Sequence, residues 1–298
     1  MDTSYSLFCK RVEQLTGVDL SKYKPRQMER RLGTLMQRLG AQDYGQLAAM
    51  MQRQPDVLRQ FMDFFTINVS EFFRNPERFE YLREYVLSPM LTEKRRLRVW
   101  SAGCAGGAET YSVAILLHEL RALRTSRVVG TDVDRSALAF AQAGTYSGAF
   151  LRNLDESRLA RYFKPAGEGQ YTIRPEIKGY TEFKWGDLLQ VPYDGGPWDL
   201  ILCRNVVIYF TEEAKAMVFE DLVSALTPGG VLFIGGTETV TGPARAHLEP
   251  IAPFMYRKKH DSESKCRPVL GWSGKYAQEG GRAAPAPDGL PGANRKGQ

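Results

Sequence analysis

The sequence predicts an all-α amino-terminal domain followed by an α/β domain whose mostly parallel sheet carries a small antiparallel β-subdomain. Three observations predict it. Residues 1 to about 65 read as helices. From residue 97 onward, apolar runs of strand length alternate with amphipathic helical stretches, the pattern of a parallel sheet with helices on both faces. One segment, 162–186, breaks that rhythm with short aromatic and β-branched runs separated by Pro and Gly, which predicts antiparallel strands.

In the helical part, "PRQMERRLGTLMQRLG" places Met28, Leu32, Leu35, Met36 and Leu39 on one helical face, closed by Gly40. The other face carries Arg26, Arg30, Arg31 and Arg38, preceded by Lys22 and Lys24; between residues 19 and 38 the only acids are Asp19 and Glu29. A solvated helix face is the plainer reading of such a run. The scarcity of acids favours a docking surface for an acidic partner.

The helical domain is expected to span 1–75. A linker helix over 76–92 follows, with Asn75 as its cap, Pro76 in its first position and Phe79, Leu82 and Val86 on one face. The α/β domain is then expected over 93–260: strands at "LRVWSA", "RVVGTD", "WDLILCRN", "GGVLFIGG" and "FMYRKK", with helices at 108–123, 135–142 and 212–225. In residues 261–298, Gly and Pro fill 11 of 38 positions without apolar periodicity, which predicts a disordered tail.

A chain of 298 residues with 43% hydrophobic content can bury a substantial core. No run approaches the ~18 apolar residues of a membrane span, and the first residues lack a signal pattern, so a soluble cytoplasmic protein is expected. The four cysteines lack paired spacing, and the three histidines, His118, His247 and His260, stand apart from other ligands and acids. Zinc, dithiol and histidine-based acyl-transfer chemistry are therefore disfavoured, and no metal is expected. Net charge of +6 favours an acidic partner without naming it.

The stretch "LRVWSAGCAGGAETYSVAILLHEL" (97–120) runs strand, glycine turn, helix. A P-loop would need Gly-Lys-Ser/Thr, and there is no lysine; a dinucleotide loop would need glycine where Ala105 stands. S-adenosylmethionine fits better. It carries no phosphate and needs close backbone approach, an acid for its ribose hydroxyls and an anionic partner for its ammonium; Asp132 and Glu109 can supply the acids. Asp134 is read as the cap of the next helix, whereas Asp132 stands at the carboxyl end of a strand, where open α/β sheets bind ligands.

Beyond this loop, "FTINVSEFFRNPERF" (65–79), "WSAGCAGGAETYS", "GTDVDRSAL", "AGTYS", "WGDLLQVP", "WDLILCRNVVIYF" (198–210) and "LTPGGVLFIGGTE" together resemble the chemotaxis receptor methyltransferases, the CheR family. The resemblance runs in order from residue 4 to about 260. It implies a helical domain on a Rossmann-like class I methyltransferase domain, and transfer of a methyl group from S-adenosylmethionine to glutamates on the cytoplasmic helical bundle of chemoreceptors. Carried over by motif, Asn68, Ser70 and Arg74 line the site from the linker side, with Gly103 in the loop. Glu109 and Asp132 take the amino-acid and ribose ends. Asp187 and Leu188 lie by the adenine, where relatives more often have Asn-Leu; Arg204 and Asn205 close the pocket, and Tyr209 sits near the methyl group. Arg74 and Tyr209 are the catalytic candidates. Arg26, Arg30, Arg31 and Arg38 become the receptor-docking face.

Where relatives read G-x-S-x-G-E-E-P-Y-S, this chain has Ala108 and Thr110 but keeps Glu109. The short loop "KPAGEGQ" implies independence from a receptor-tail tether. A monomer without nucleic-acid or membrane contacts is expected, and its other possible roles are methylation of another acceptor or non-catalytic cofactor binding. A glutamate is already ionised at neutral pH, so attack on a sulfonium methyl needs no general base. Positioning, worth ~7–11 kcal/mol in favourable cases, then carries the reaction.

Overall fold

The computed structural model describes residues 3–66, 70–190 and 195–260. Asn68 and the 261–298 tail lie outside the described residues, as does the expectation of disorder for that tail.

Four helices open the chain: α1 (Thr3–Thr16), α2 (Pro25–Leu39), α3 (Tyr44–Arg53) and α4 (Pro55–Phe65). Their ends follow local chemistry. α2 and α4 start on proline, whose missing N–H costs nothing there; α2 stops at left-handed Gly40 (φ 72°), and Asp43 caps α3 by accepting from the Gln46 N–H. Met28, Leu32 and Leu35 are buried as the periodicity predicts.

The linker is one continuous helical stretch, α5 (Pro76–Tyr81), a π-helical turn over Leu82–Leu87, and α6 (Ser88–Glu93). The widened turn precedes Pro89, which has no N–H to return to it. Asn75 holds the N-cap position at φ 65°, but its side chain makes no capping bond. Its Oδ1 accepts instead from Arg204 Nη2 at 2.9 Å, so the expected cap is diverted into a tertiary contact.

The α/β domain runs β1 (Arg98–Ala102), α7 (Ala108–Glu119), β2 (Arg127–Asp132), α8 (Arg135–Ala143), β3 (Thr145–Ser147), α9 (Glu156–Tyr162), β4 (Phe163–Pro165), β5 (Gln170–Ile173), α10 (Pro175–Lys178) and β6 (Thr181–Trp185). It continues with β7 (Trp198–Cys203), α11 (Glu212–Ala225), β8 (Leu226–Ile234), β9 (Leu248–Ala252) and β10 (Met255–Lys258). The main sheet has the order β6-β2-β1-β7-β8-β10-β9. Its first five strands are parallel, and β10 and β9 add antiparallel. This is the expected Rossmann-like architecture.

The small sheet, β3-β5-β4, is antiparallel but differs in membership from the 162–186 segment. β6 leaves it for the main sheet, pairing with β2 in the register Asp132↔Trp185. β3 joins it from outside the segment, pairing Tyr146 with Tyr171. Aromatic and β-branched content marks strands but does not choose their partners.

Side chains alternate across the sheet. Val99, Leu200, Val231 and Phe233 face a core shared with the linker, α7 and the small sheet. Trp100, Ile201, Leu232 and Ile234 face the other, which is continuous through Phe219 and Phe210 with Tyr23, Phe61 and Phe65 of the helical domain. The two domains thus share one core.

Candidate functional site

A cleft of ≈ 460 Å³ opens at the carboxyl ends of β1, β2, β6 and β7, walled on one side by α2. The glycine loop after β1 forms its floor. Gly103 (φ 76°) and Cys104 both donate to the Thr131 carbonyl at 2.9 Å, folding the loop back on β2. A Cβ on Gly103 would come 2.5 Å from Val206 Cγ2, so this position tolerates no side chain.

Besides Glu71, which pairs with Arg152 on the linker side, three carboxylates line the cleft. Asp132 receives the Ala105 N–H at 2.8 Å and the Asp134 N–H at 2.9 Å. Glu109, at the start of α7, accepts from Ser101 Oγ at 2.8 Å and lies 3.4 Å from Arg204 Nη1. Asp187 accepts from the Leu189 N–H through Oδ1, while its buried Oδ2 has no partner among the described residues. Burial pushes all three carboxyl pKa values up, opposed by these hydrogen bonds and, at Glu109, by the Arg204 charge. Asp134, by contrast, caps α8 as expected, accepting from Ser136 and Ala137. Leu188 lines the cleft beside Asp187.

Basic side chains enter from two other walls. Arg74 and Ser70 enter from the linker side, and Arg30 and Arg31 from α2. Arg74 lies between two non-glycine residues of positive φ, Phe73 (50°) and Asn75 (65°). That conformation is held by Phe73 N–H donating to Ser112 Oγ at 2.9 Å and by Arg204 Nη2 donating to the Arg74 carbonyl at 2.9 Å. The Arg74 guanidinium makes no ion pair with any described residue. Tyr209 is half-buried on the same wall; burial raises its phenol pKa, opposed by Arg31 and Arg74 nearby.

Arg204 is 7% exposed, sandwiched near the Phe233 and Phe79 rings (4.6 and 5.3 Å), and ties Glu109, Arg74 and Asn75 together. The docking set divides. Arg26, Arg30 and Arg38 are exposed, whereas Arg31 is half-buried, donates to the Phe64 carbonyl and lies over the Phe64 ring at 4.9 Å. The two departures in the glycine loop are both buried: Ala108 packs in the core, and Thr110 Oγ1 sits beneath Gly130.

Sequence reasoning passed over Glu238. Its buried carboxylate accepts four backbone N–H groups, those of Asn205, Val206, Val207 and Gly235. An acid directly behind the Gly235-Gly236 turn of "GGTE" was the available signal.

The glycine-loop cradle, the buried carboxylates and the unpartnered Asp187 oxygen fit a ligand with hydroxyl, ammonium and amine donors, as S-adenosylmethionine has. None of the three histidines lines the cleft. Among the described residues no helix is long and apolar enough to cross a membrane.

Comparison with known proteins gives matches in chain order. Residues 3–66 match "CheR methyltransferase, all-alpha domain" and residues 68–252 match "CheR methyltransferase, SAM binding domain". A chemotaxis protein methyltransferase of Listeria innocua is 36% identical over 259 residues, covering 87% of this chain and 98% of that protein. Chemotaxis protein methyltransferase Cher2 of Pseudomonas putida is 33% identical, covering 83% of this chain and 95% of its own. Chemotaxis protein methyltransferase 1 of Pseudomonas aeruginosa is 33% identical, with 87% and 98% covered. Both halves of the architecture, each over nearly its whole length, therefore place this chain in the CheR methyltransferase family.

Proposed function

We propose that this protein methylates glutamate side chains on the helical bundle of chemotaxis receptors, forming methyl esters, and that it works as a cytoplasmic monomer. The observation that carries the reading is the lining of one cleft, which brings Glu109, Asp132 and Asp187 from the sheet side together with Arg30 and Arg31 of α2 and Arg74 of the linker side. The first set suits a cationic, hydroxyl-bearing cofactor. The second suits a carboxylate acceptor.

Asp132 would hold the ribose hydroxyls, Glu109 the ammonium, and Asp187 with Leu188 the adenine, over the bare backbone of Gly103. Arg204 and Asn205 complete the wall, with Ser70 on the linker side. When bound, S-adenosylmethionine supplies a sulfonium methyl open to attack. Arg74 orients the incoming carboxylate by a charge-assisted hydrogen bond. Tyr209 packs its ring against the reacting end. No residue has to remove a proton, since the acceptor arrives ionised.

Arg26, Arg30 and Arg38 give α2 an exposed basic face for the glutamate-rich methylation helices, where steering is the larger contribution. Arg31, tethered to Phe64, belongs to the cleft wall as much as to that face.

The test incubates the protein with methyl-labelled S-adenosylmethionine and receptor cytoplasmic fragments, then measures methanol released by mild base. Base-labile label, lost in Arg74→Ala and Tyr209→Ala proteins that still bind S-adenosylhomocysteine, supports the reading. Base-stable label moves the acceptor to nitrogen, and cofactor binding without turnover on any receptor leaves a binding protein.

A further inference from the structure

We propose that Glu238 is a positioning residue for methyl transfer, fixing the backbone of residues 205–207 and through it the place of Tyr209. The proposal rests on the methyl-transfer reading above. Glu238 does not line the cleft; it is 4% exposed behind β8 and acts only through the segment it holds.

Each carboxylate oxygen takes two amides. Oε2 accepts from Asn205 (2.8 Å) and Gly235 (2.6 Å), and Oε1 from Val206 (2.9 Å) and Val207 (3.0 Å). Four N–H donors match the lone-pair capacity of an ionised carboxylate. The arrangement requires a bare backbone at Gly235, where a Cβ would lie 2.5 Å from Oε2 and 2.8 Å from the Asn205 nitrogen.

The segment held in this way lines the cleft. Asn205 sits at φ 61°, a left-handed conformation that asparagine adopts more readily than other non-glycine residues. Val206, next along, is the residue against which Gly103 packs. Residues 207–209 form a single 3₁₀ turn, and beyond it the Tyr209 carbonyl accepts from the Lys24 N–H at 2.9 Å. Tyr209 is therefore suspended between two anchors. The Glu238 carboxylate is the one on the cofactor side.

Glutamine at this position would set its own N–H₂ against amide donors, while aspartate keeps the charge but falls a methylene short. The experiment compares Glu238→Gln and Glu238→Asp in the full chain by three measurements: hydrogen exchange over 203–210, S-adenosylhomocysteine affinity, and kcat and KM for ester formation. In Glu238→Gln the amides of 205–207 should exchange at least about tenfold faster. Its kcat should fall about 100-fold, with cofactor affinity falling less, about tenfold at most, because Asn205 of the same segment belongs to the cofactor wall. Glu238→Asp should recover part of both losses. Combining Glu238→Gln with Tyr209→Ala should be no slower than the worse single variant, because one residue acts through the other.

Unchanged exchange, an unchanged kcat per folded molecule, or multiplicative losses in the double variant would each overturn the proposal. If the wild-type protein forms no base-labile label, the acceptor reading has failed separately. The exchange comparison, which needs no acceptor, then still decides whether Glu238 holds the segment.

Discussion

The backbone N–H of Lys24 donates to the carbonyl of Tyr209 at 2.9 Å, and the Thr211 N–H returns to the Lys22 carbonyl at 2.8 Å. Between them Tyr23 and Phe210 form an antiparallel bridge. The entry to α2 is thus hydrogen-bonded to the turn that presents Tyr209, and the helical domain helps to build the cleft.

Tyr23 is buried at this junction, edge-on to Phe65 (4.9 Å) and Phe210 (5.1 Å). Tyr23→Ala should cost about 3 kcal/mol, the scale of removing a large core aromatic, as measured by urea unfolding. Ester formation should fall in the molecules that remain folded, because the bridge aligning Tyr209 loses its packing.

Gly103→Ala tests the cradle. The added methyl meets Val206 and must adopt a left-handed conformation, so about 1–3 kcal/mol of destabilisation is expected from overpacking. Calorimetric titration with S-adenosylhomocysteine should show weakened binding or none. Wild-type affinity in this variant would mean that the ligand does not approach the loop.

Asp187 gives a pH prediction. Burial raises its carboxyl pKa above the usual 3.8 in the ligand-free protein. The folded state therefore holds its proton more tightly than the unfolded chain, and this residue's relative stabilisation is greatest below the unfolded pKa and lost as pH rises through the folded value. Once ionised, the buried carboxylate, with no partner for Oδ2 among the described residues, costs stability. Asp187→Asn should raise ligand-free stability at pH 7 by about 1 kcal/mol, the lower end of the cost of an unpaired buried group. The gain should vanish below the unfolded pKa, which thermal unfolding at several pH values would show.

Reversing charge on the exposed α2 face outside the cleft, with Arg26 and Arg38 changed together to Glu, should slow association with receptor fragments about tenfold or more at low salt. The difference should shrink as ionic strength rises, with cofactor affinity unchanged. Stopped-flow binding would read both. The turn between β4 and β5 spans only residues 166–169, in keeping with independence from a tether, so removing the receptor's C-terminal tail should leave methylation rates unchanged.

The features legible in the sequence were those written in local patterns. The Met28, Leu32 and Leu35 stripe, the glycine loop and the Asp134 cap each depend on spacing within one or two turns of chain, and the structure shows each where the pattern put it. Partner choice was not legible. Thr181–Trp185 has the composition of any half-buried strand, and only the sheet edge left open by β2 settles its place. β9 escaped notice because Pro250 interrupts it, which a strand tolerates at an edge. In the cleft, the sequence brought forward the acids and Arg74. It could not show that Arg204 would be spent on Asn75 and the Arg74 carbonyl, or that Glu238 would gather the amides of Asn205, Val206 and Val207 besides that of nearby Gly235, since these contacts join residues far apart in the chain.

The sheet ends in β6 on one side and β9 on the other, and neither outer strand makes a good template for a second chain. β6 sets charged Glu182 and Lys184 along its margin, and β9 carries Pro250, which has no N–H to offer. An open sheet with two uncovered margins runs a standing risk of edge-to-edge fibre growth. Here that risk is blunted by the outermost strands themselves, and colloidal stability is built into the same sheet that forms the cleft.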